Sequence, residues 1–204
     1  YSGVEDPAQS WNALSVGAFT ELQTIVDPTF NGYRPIASFG GLSPFSSTSY
    51  VWPNGRRDKW PLKPEVLFEG GNVAIDDAGT VDTPADLQLI STNKNPQVAQ
   101  FASFGETSAA SALAANMAAK IMGVYPNAWP ETVRGLIVHS ARWTDEMKSR
   151  FLGGRTNKTA YTELARICGY GVPALNRALY CAGNSLTVIS QSELQPFEMR
   201  LNAQ

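Results

Sequence analysis

The sequence lacks the residues that several common functional classes require. One histidine and two cysteines among 204 residues provide neither a zinc-binding pattern nor a disulfide framework. No apolar run is long enough to span a bilayer, and a formal net charge of -2 gives no electrostatic footprint for nucleic acid. Hydrophobic residues make up 43% of the chain, enough to fill a core. We therefore expect a globular chain without metal or cofactor that binds neither nucleic acid nor membrane.

The two cysteines, Cys168 and Cys181, leave two interpretations open. A single disulfide bridge between them is one, and two buried thiols in a reducing compartment are the other. We favour the thiols and, with them, a cytoplasmic location, although nothing else in the sequence indicates a compartment. Because the first residue is Tyr1 and no signal peptide precedes it, we also expect a processed product or a piece of a longer chain.

The first half of the chain predicts short strands among loops. One apolar strand is expected within residues 10–20, ending at Gly17, and another at residues 64–68. Glycine, proline, serine and aromatic residues dominate residues 27–62, so this stretch is expected to be a long surface excursion with little regular structure. Residues 72–104 continue the pattern of strands and loops.

The second half predicts helices. Small and apolar residues recur at helical spacing over Thr107–Met122, and alanines on the opposite face indicate a helix that is buried nearly all round. A second helix is expected to start at Pro130 and to present one apolar face, formed by Val133, Leu136 and Ile137. A third is expected over Pro173–Tyr180, followed by a strand at Ser185–Ser190. Strands among helices favour a layered α/β fold.

The feature most suggestive of chemistry is the segment Gly105–Ser111, where a serine follows a glycine-containing turn into an alanine-rich helix. A helix N-terminus offers free backbone N–H groups and the positive end of the helix dipole, both of which stabilise a developing oxyanion. Ser108 is therefore a candidate nucleophile. The competing interpretation is that Thr107 or Ser108 simply caps a core helix.

The order of several short segments favours the nucleophile. Glu106-Thr107-Ser108-Ala109-Ala110-Ser111-Ala112 resembles the nucleophile motif Gly-Thr-Ser-x-Ala-x-Pro of the subtilase family. Four further segments resemble other stretches of that family in the same order: Ala13–Ala18, Ser43–Ser47, Lys63–Gly70 and Gly169–Ala174. Each segment is weak alone, but together they form a fairly specific signal across residues 13–180.

The resemblance implies a three-layer α/β subtilisin-like fold with a parallel sheet, of which this chain is the C-terminal half. Residues 1–183 would be that part of the peptidase domain, and residues 184–204 a C-terminal extension or the start of a further domain.

The resemblance also implies a serine endopeptidase that hydrolyses peptides or proteins through an acyl-enzyme on Ser108. The backbone N–H of Ser108 would contribute to the oxyanion hole, with Gly105 and Thr107 as its motif neighbours. The catalytic Asp and His and the oxyanion Asn of the family precede the serine, so we expect them upstream of this chain. We therefore expect the fragment to be inactive without the missing N-terminal part of the domain.

Two departures from the motif keep alternatives open. Glu106 stands where the family usually has Gly, and Ala112 replaces its usual Pro. The alternatives are a non-catalytic interaction domain on a peptidase-like scaffold and a sedolisin-type peptidase, which uses Glu and Asp with its serine. His139 follows Ser108, whereas the family's base precedes the serine, so we do not expect it to be the base. Four upstream aspartates are expected to be loop charges or caps: Asp76, Asp77, Asp82 and Asp86.

Overall fold

The computed structural model describes residues 2–52, 60–179 and 189–193. Its first half consists of short strands, each only two to five residues long, joined by loops. Two single 3-10 turns, Pro28–Phe30 and Ala85–Leu87, interrupt these loops. The strands are β1 (Val16–Thr20), β2 (Arg34–Pro35), β3 (Gly41–Leu42), β4 (Val66–Glu69), β5 (Ala74–Ile75), β6 (Val81–Asp82), β7 (Leu89–Thr92) and β8 (Phe101–Phe104).

Helices follow from residue 106 onwards. Proline at the first position of the second helix and side-chain caps on the third and fourth fix where those helices begin. The helices are α1 (Glu106–Val124), α2 (Pro130–Ser140), α3 (Asp145–Leu152), α4 (Lys158–Cys168) and α5 (Leu175–Ala178). The mixed α/β character expected from the sequence is confirmed.

The strands β3, β1 and β4 form the sheet that organises the molecule. Strand β1 runs parallel to β4, with Val16 opposite Val66, and antiparallel to β3. A parallel pair needs a long connection, here the 45 residues between Thr20 and Val66, and it needs cover on both faces. Smaller antiparallel sheets are formed by β2, β5 and β6 and by the hairpin β7–β8.

Helices cover both faces of this sheet. Alternation along β4 turns Leu67 to one face, where it packs with Met147 of α3 and Leu164 of α4. It turns Val66 to the other face, where the core continues through Ile121 of α1 and Ile137 of α2. The arrangement is therefore helix, sheet, helix, with one apolar cluster on each side of the parallel pair.

Several local expectations need correction. Strand β1 does not end at Gly17 but continues to Thr20, because its partner β4 extends the ladder beyond the glycine. The stretch 27–62 is not only a surface excursion: Ser43, Ser46 and Thr48 are buried, and the Ser46 hydroxyl accepts a hydrogen bond from the backbone N–H of Ala18. Serine and threonine in a loop were therefore a poor indicator of exposure.

The helices depart from expectation in extent and burial. The spacing missed α3 and α4, which are short, contain several charged residues, and bury one face each. The third predicted helix is reduced to α5, and the predicted strand at residues 185–190 lies mostly outside the described residues, as does Tyr180. Helix α1 is buried on one side only, along Ala110, Ala114, Met117 and Ile121.

Candidate functional site

The candidate site begins with the turn that leads from β8 into α1. Gly105 is the N-cap, with extended φ and ψ of -141° and -156°, and Glu106 follows with φ of +64°. Glu106 is the one non-glycine residue with positive φ among those described. Because a β-carbon is crowded in this left-handed region, the conformation explains why a glycine would be preferred here, and it makes Glu106 a strained position.

Tight contacts hold this turn against the end of β4. The backbone N–H of Glu106 donates to the carbonyl of Gly70 at 2.7 Å. A β-carbon on Gly70 would lie 2.5 Å from the β-carbon of Ala18 and 2.9 Å from the carbonyl oxygen of Glu106, so only glycine fits there. The side-chain amide of Gln88 occupies the place of a β-carbon on Gly105 and donates to the Asn72 carbonyl at 2.9 Å.

Ser108 lies in the first turn of α1 with its side chain exposed. Among the described residues its hydroxyl has no hydrogen-bond partner. The competing interpretation that Thr107 or Ser108 caps the helix is wrong, since the cap is Gly105 and no side chain caps this end. Among the described residues, the hydroxyl of Ser108 therefore makes no hydrogen bond that stabilises the fold.

Helix geometry leaves donors beside this hydroxyl. The first intrahelical bond runs from the N–H of Ala109 to the carbonyl of Gly105 at 3.2 Å. The N–H of Ser108 precedes this bond, so the helix supplies it with no acceptor. With the positive end of the helix dipole at the same point, the arrangement suits the stabilisation of an oxyanion.

The serine turn sits beyond the carboxyl ends of the parallel strands, the edge where ligands bind in many α/β sheets. Glu69, the last residue of β4, organises this edge: its carboxylate accepts from the N–H groups of Glu21 at 2.7 Å and Gly71 at 2.8 Å. Sequence reasoning missed both Glu69 and Gln88. Glu69 lay in a segment already singled out, whereas nothing in the sequence marks Gln88.

His139 is not brought to the serine. It lies exposed in the last turn of α2, and its carbonyl accepts from the guanidinium of Arg142 at 3.0 Å. Helix α2 packs on α1 around Met117 and Ile121. At a rise of about 1.5 Å per residue, Met117 lies about 14 Å further along the axis of α1 than Ser108. No hydrogen bond joins His139 to Ser108 in the described part of the chain.

The aspartates expected to be loop charges or caps behave in that way. Asp76 accepts from the N–H of Thr80, and this bond lowers the pKa of the Asp76 carboxyl. Asp77 pairs with Arg34 at the surface, and Asp82 accepts from the backbone N–H of Thr83. Asp86 accepts from the backbone N–H groups of residues 26 and 27 in an earlier loop. Within the described ranges, no three acidic, histidine or cysteine side chains cluster as metal ligands would.

One of the two cysteines can be placed. Cys168 is a buried free thiol at the end of α4, and burial raises its pKa to about 12. Cys181 lies outside the described residues. Over the part of the chain that is described, no helix is both long and apolar enough to cross a membrane.

A protein-family comparison decides the family. The model of the subtilase family (peptidase S8) matches residues 2–171. This chain belongs to the subtilase family. The match includes β1, β4, the serine turn and all of α1 to α4, and the family consists typically of serine peptidases, which act on proteins. Comparisons with curated proteins and with solved structures found no match.

Proposed function

We propose that this chain is the serine-bearing, C-terminal half of a subtilisin-like endopeptidase domain, and that Ser108 is its nucleophile. The observation that carries the proposal is the exposed Ser108 hydroxyl, without a structural partner, at a helix N-terminus beyond the carboxyl ends of a parallel strand pair. The two helical layers around β1 and β4 agree with the three-layer fold of the proposal.

The reaction is acyl transfer followed by hydrolysis. The Ser108 oxygen attacks the carbonyl carbon of the peptide bond, a base takes the hydroxyl proton, and the N–H of Ser108 donates to the resulting oxyanion. The base then returns the proton to the leaving amine, and water hydrolyses the ester in a second cycle. In this proposal Gly105 and the strained Glu106 set the direction in which the serine leaves the turn.

The base has to come from outside this chain. The sequence contains a single histidine, and that residue is exposed on α2, away from the serine turn. We propose that an upstream part of the same protein supplies histidine, aspartate and the asparagine of the oxyanion hole. A subtilase serine without its histidine loses almost all of its rate advantage, since triad members act as a unit.

The exposed surface around the serine supports such a missing partner. The outer face of α1 presents Ala112, Ala115, Ala119 and Met122 to solvent, and Met122 is 53% exposed. The hairpin that leads into α1 exposes Ile90 and Phe101 by 78% and 63%. Exposed apolar side chains that lie together mark interaction sites, so we propose that the upstream part of the domain packs here.

Labelling by a serine-directed fluorophosphonate tests the proposal. In a protein that contains the upstream part, we expect the reagent to acylate Ser108, and the Ser108→Ala variant to remain unlabelled and to lose about 10⁶-fold in kcat. The isolated chain should neither hydrolyse peptides nor react. Peptidase activity of the isolated chain that Ser108→Ala abolishes would contradict the missing-partner part of the proposal.

Glu106 favours a second candidate, a non-catalytic interaction domain on the same scaffold. A strained carboxylate beside the nucleophile is an unfavourable neighbour for an oxyanion. An upstream sequence without histidine and aspartate, together with a Ser108 that no reagent labels, would decide for this candidate. An upstream sequence with Glu and Asp in place of those residues would indicate a sedolisin-type peptidase instead.

A further inference from the structure

The outer face of α2 borders two grooves that are independent of the serine turn. The first has a volume of about 620 Å³ and is lined by Trp11, Trp60, Tyr170 and Gly135. The second, of about 700 Å³, shares Gly135 and Tyr170 and continues toward Arg142. The shared residues make the two a single path across the helix, which we call the α2 groove.

Glycine at position 135 has no explanation among the described residues. It lies in the middle of an 11-residue helix, its φ is not positive, and a β-carbon there would meet nothing within 4 Å. Glycine in a helix interior is less stable than alanine, so the helix carries a cost for which the described part of the chain gives no reason. The reason we find is external: without a side chain, the backbone of a bound segment can approach the helix at this point.

At the aromatic end of the groove the rings are exposed to solvent, and the charged side chains beneath them are paired with one another. Trp11 and Trp60 are 65% and 53% exposed, and Tyr170 is 44% exposed. Beneath them the buried Glu65 accepts from Lys63 at 2.6 Å and from Arg134 at 2.9 Å. Arg134 also donates to the carbonyls of residues 11 and 12. Among the described residues, the charge at this end that no ion pair offsets is the exposed Glu131.

The other end of the groove is basic. Arg142 is exposed, and its guanidinium donates to the backbone carbonyls of His139 and Ala141 and to no carboxylate among the described residues. Lys148 lies beside it and pairs with Asp145 at the surface. A ligand that spans the groove therefore meets exposed aromatic rings first and an uncompensated positive charge at the far end.

We propose that the α2 groove binds an extended, proline-rich segment of a protein partner whose acidic residues lie over Arg142. Proline-rich segments adopt a preformed extended helix with exposed carbonyls, and grooves lined by tryptophan and tyrosine bind them by packing the rings and donating from the indole N–H and phenol O–H groups. Glu131 at the aromatic end repels an acidic terminus and thereby fixes the direction of the segment.

The groove is a separate site from the serine turn. Glu65, which precedes β4, lies beneath the aromatic end of the groove, whereas Gly70, which follows β4, contacts the serine turn. The five residue steps between them span about 16 Å in a strand. Binding at the groove therefore does not depend on whether Ser108 is catalytic.

A peptide titration followed by two-dimensional NMR tests this site on the 204-residue chain. The probe is the synthetic peptide Pro-Pro-Leu-Pro-Pro-Glu-Glu. We expect it to shift the indole N–H signals of Trp11 and Trp60 to saturation, with a Kd below about 1 mM. Two control peptides replace either the glutamates by lysines or the prolines by alanines, and both should bind about tenfold more weakly or not at all.

Matched variants locate the binding. Gly135→Gln places a side chain in the groove and should weaken binding about tenfold, whereas Gly123→Gln, at another exposed helical glycine with open space around it, should leave the affinity unchanged. Gly135→Ala should raise the Tm of the chain and still lower its affinity for the peptide. Absence of saturable shifts, equal binding of the lysine peptide, or wild-type affinity in Gly135→Gln would each overturn the proposal.

Discussion

Replacement of Glu106 by glycine or by alanine separates backbone strain at the serine turn from the contribution of the side chain. Glu106 has φ of +64° in the first turn of α1, and its N–H is tied to Gly70. Both replacements remove the carboxylate and its favourable interaction with the helix dipole, about 0.3–1 kcal/mol. Only glycine also removes the crowding of the β-carbon, so the difference between the two variants isolates the strain.

The expected difference follows from two opposing contributions. An L-residue in the left-handed region costs about 1–2 kcal/mol, which alanine retains and glycine avoids. Glycine loses more chain entropy on folding, which costs about 0.5–1 kcal/mol relative to alanine. The glycine variant should therefore be more stable than the alanine variant by about 0–1.5 kcal/mol, with a central value of about 0.8 kcal/mol, which is a Tm difference of up to about 6 °C for a chain of this size.

Urea unfolding at equal m values measures this difference. Glu131 is the matched control, because it also lies in a first helical turn but does not have positive φ. At that position alanine should be the more stable variant, by up to about 1 kcal/mol. If alanine were more stable than glycine at position 106, as is expected at position 131, the left-handed conformation of Glu106 and the strain argued from it would be refuted.

Three further measurements probe other parts of the structure. Ser108→Ala should change the free energy of unfolding by less than about 0.5 kcal/mol, because the Ser108 hydroxyl does not cap the helix. Asn157→Ala should lower it by about 1 kcal/mol, because the Asn157 side chain caps α4 by accepting from the N–H of Ala160. Gln191→Ala should cost a similar amount in urea unfolding, since its side-chain oxygen accepts from the N–H of Trp129 and the hydroxyl of Thr132 at the start of α2; an unchanged midpoint would contradict this contact. Burial holds the pKa of Cys168 near 12, so between about pH 9 and 12 only the unfolded chain ionises this thiol, and the unfolding free energy should fall with pH more steeply in the wild type than in Cys168→Ala.

The elements that the sequence predicted well are those whose pattern is local. Proline at position 130 and the apolar spacing of Val133, Leu136 and Ile137 fixed α2 and its buried face. The strand at residues 64–68 was found because apolar residues stop at two glycines. Helices α3 and α4 were missed because each is only two or three turns long and carries charges between its few buried residues.

Burial of α1 was misjudged for a different reason. Alanine is compatible with a buried or an exposed helix face, so composition alone does not separate the two. The structure shows a single buried stripe through Ala114 and Met117, and an outer face of alanines that nothing among the described residues covers. Under the proposed function, an upstream segment of the same domain covers this face.

The serine turn shows how far sequence reasoning reaches into a site. The order of the motifs indicated Ser108 as the nucleophile and Glu106 as a departure from the motif. The local sequence does not show that φ of Glu106 is positive, nor that position 70 requires glycine. Gly70 is required because Ala18, 52 positions earlier, and the carbonyl of Glu106, 36 positions later, converge on the place of its β-carbon. Gln88 fills the corresponding place at Gly105. The direction of the serine is thus set by contacts between distant segments. A serine in the same local sequence, without those contacts, has no reason to leave the helix at the same angle.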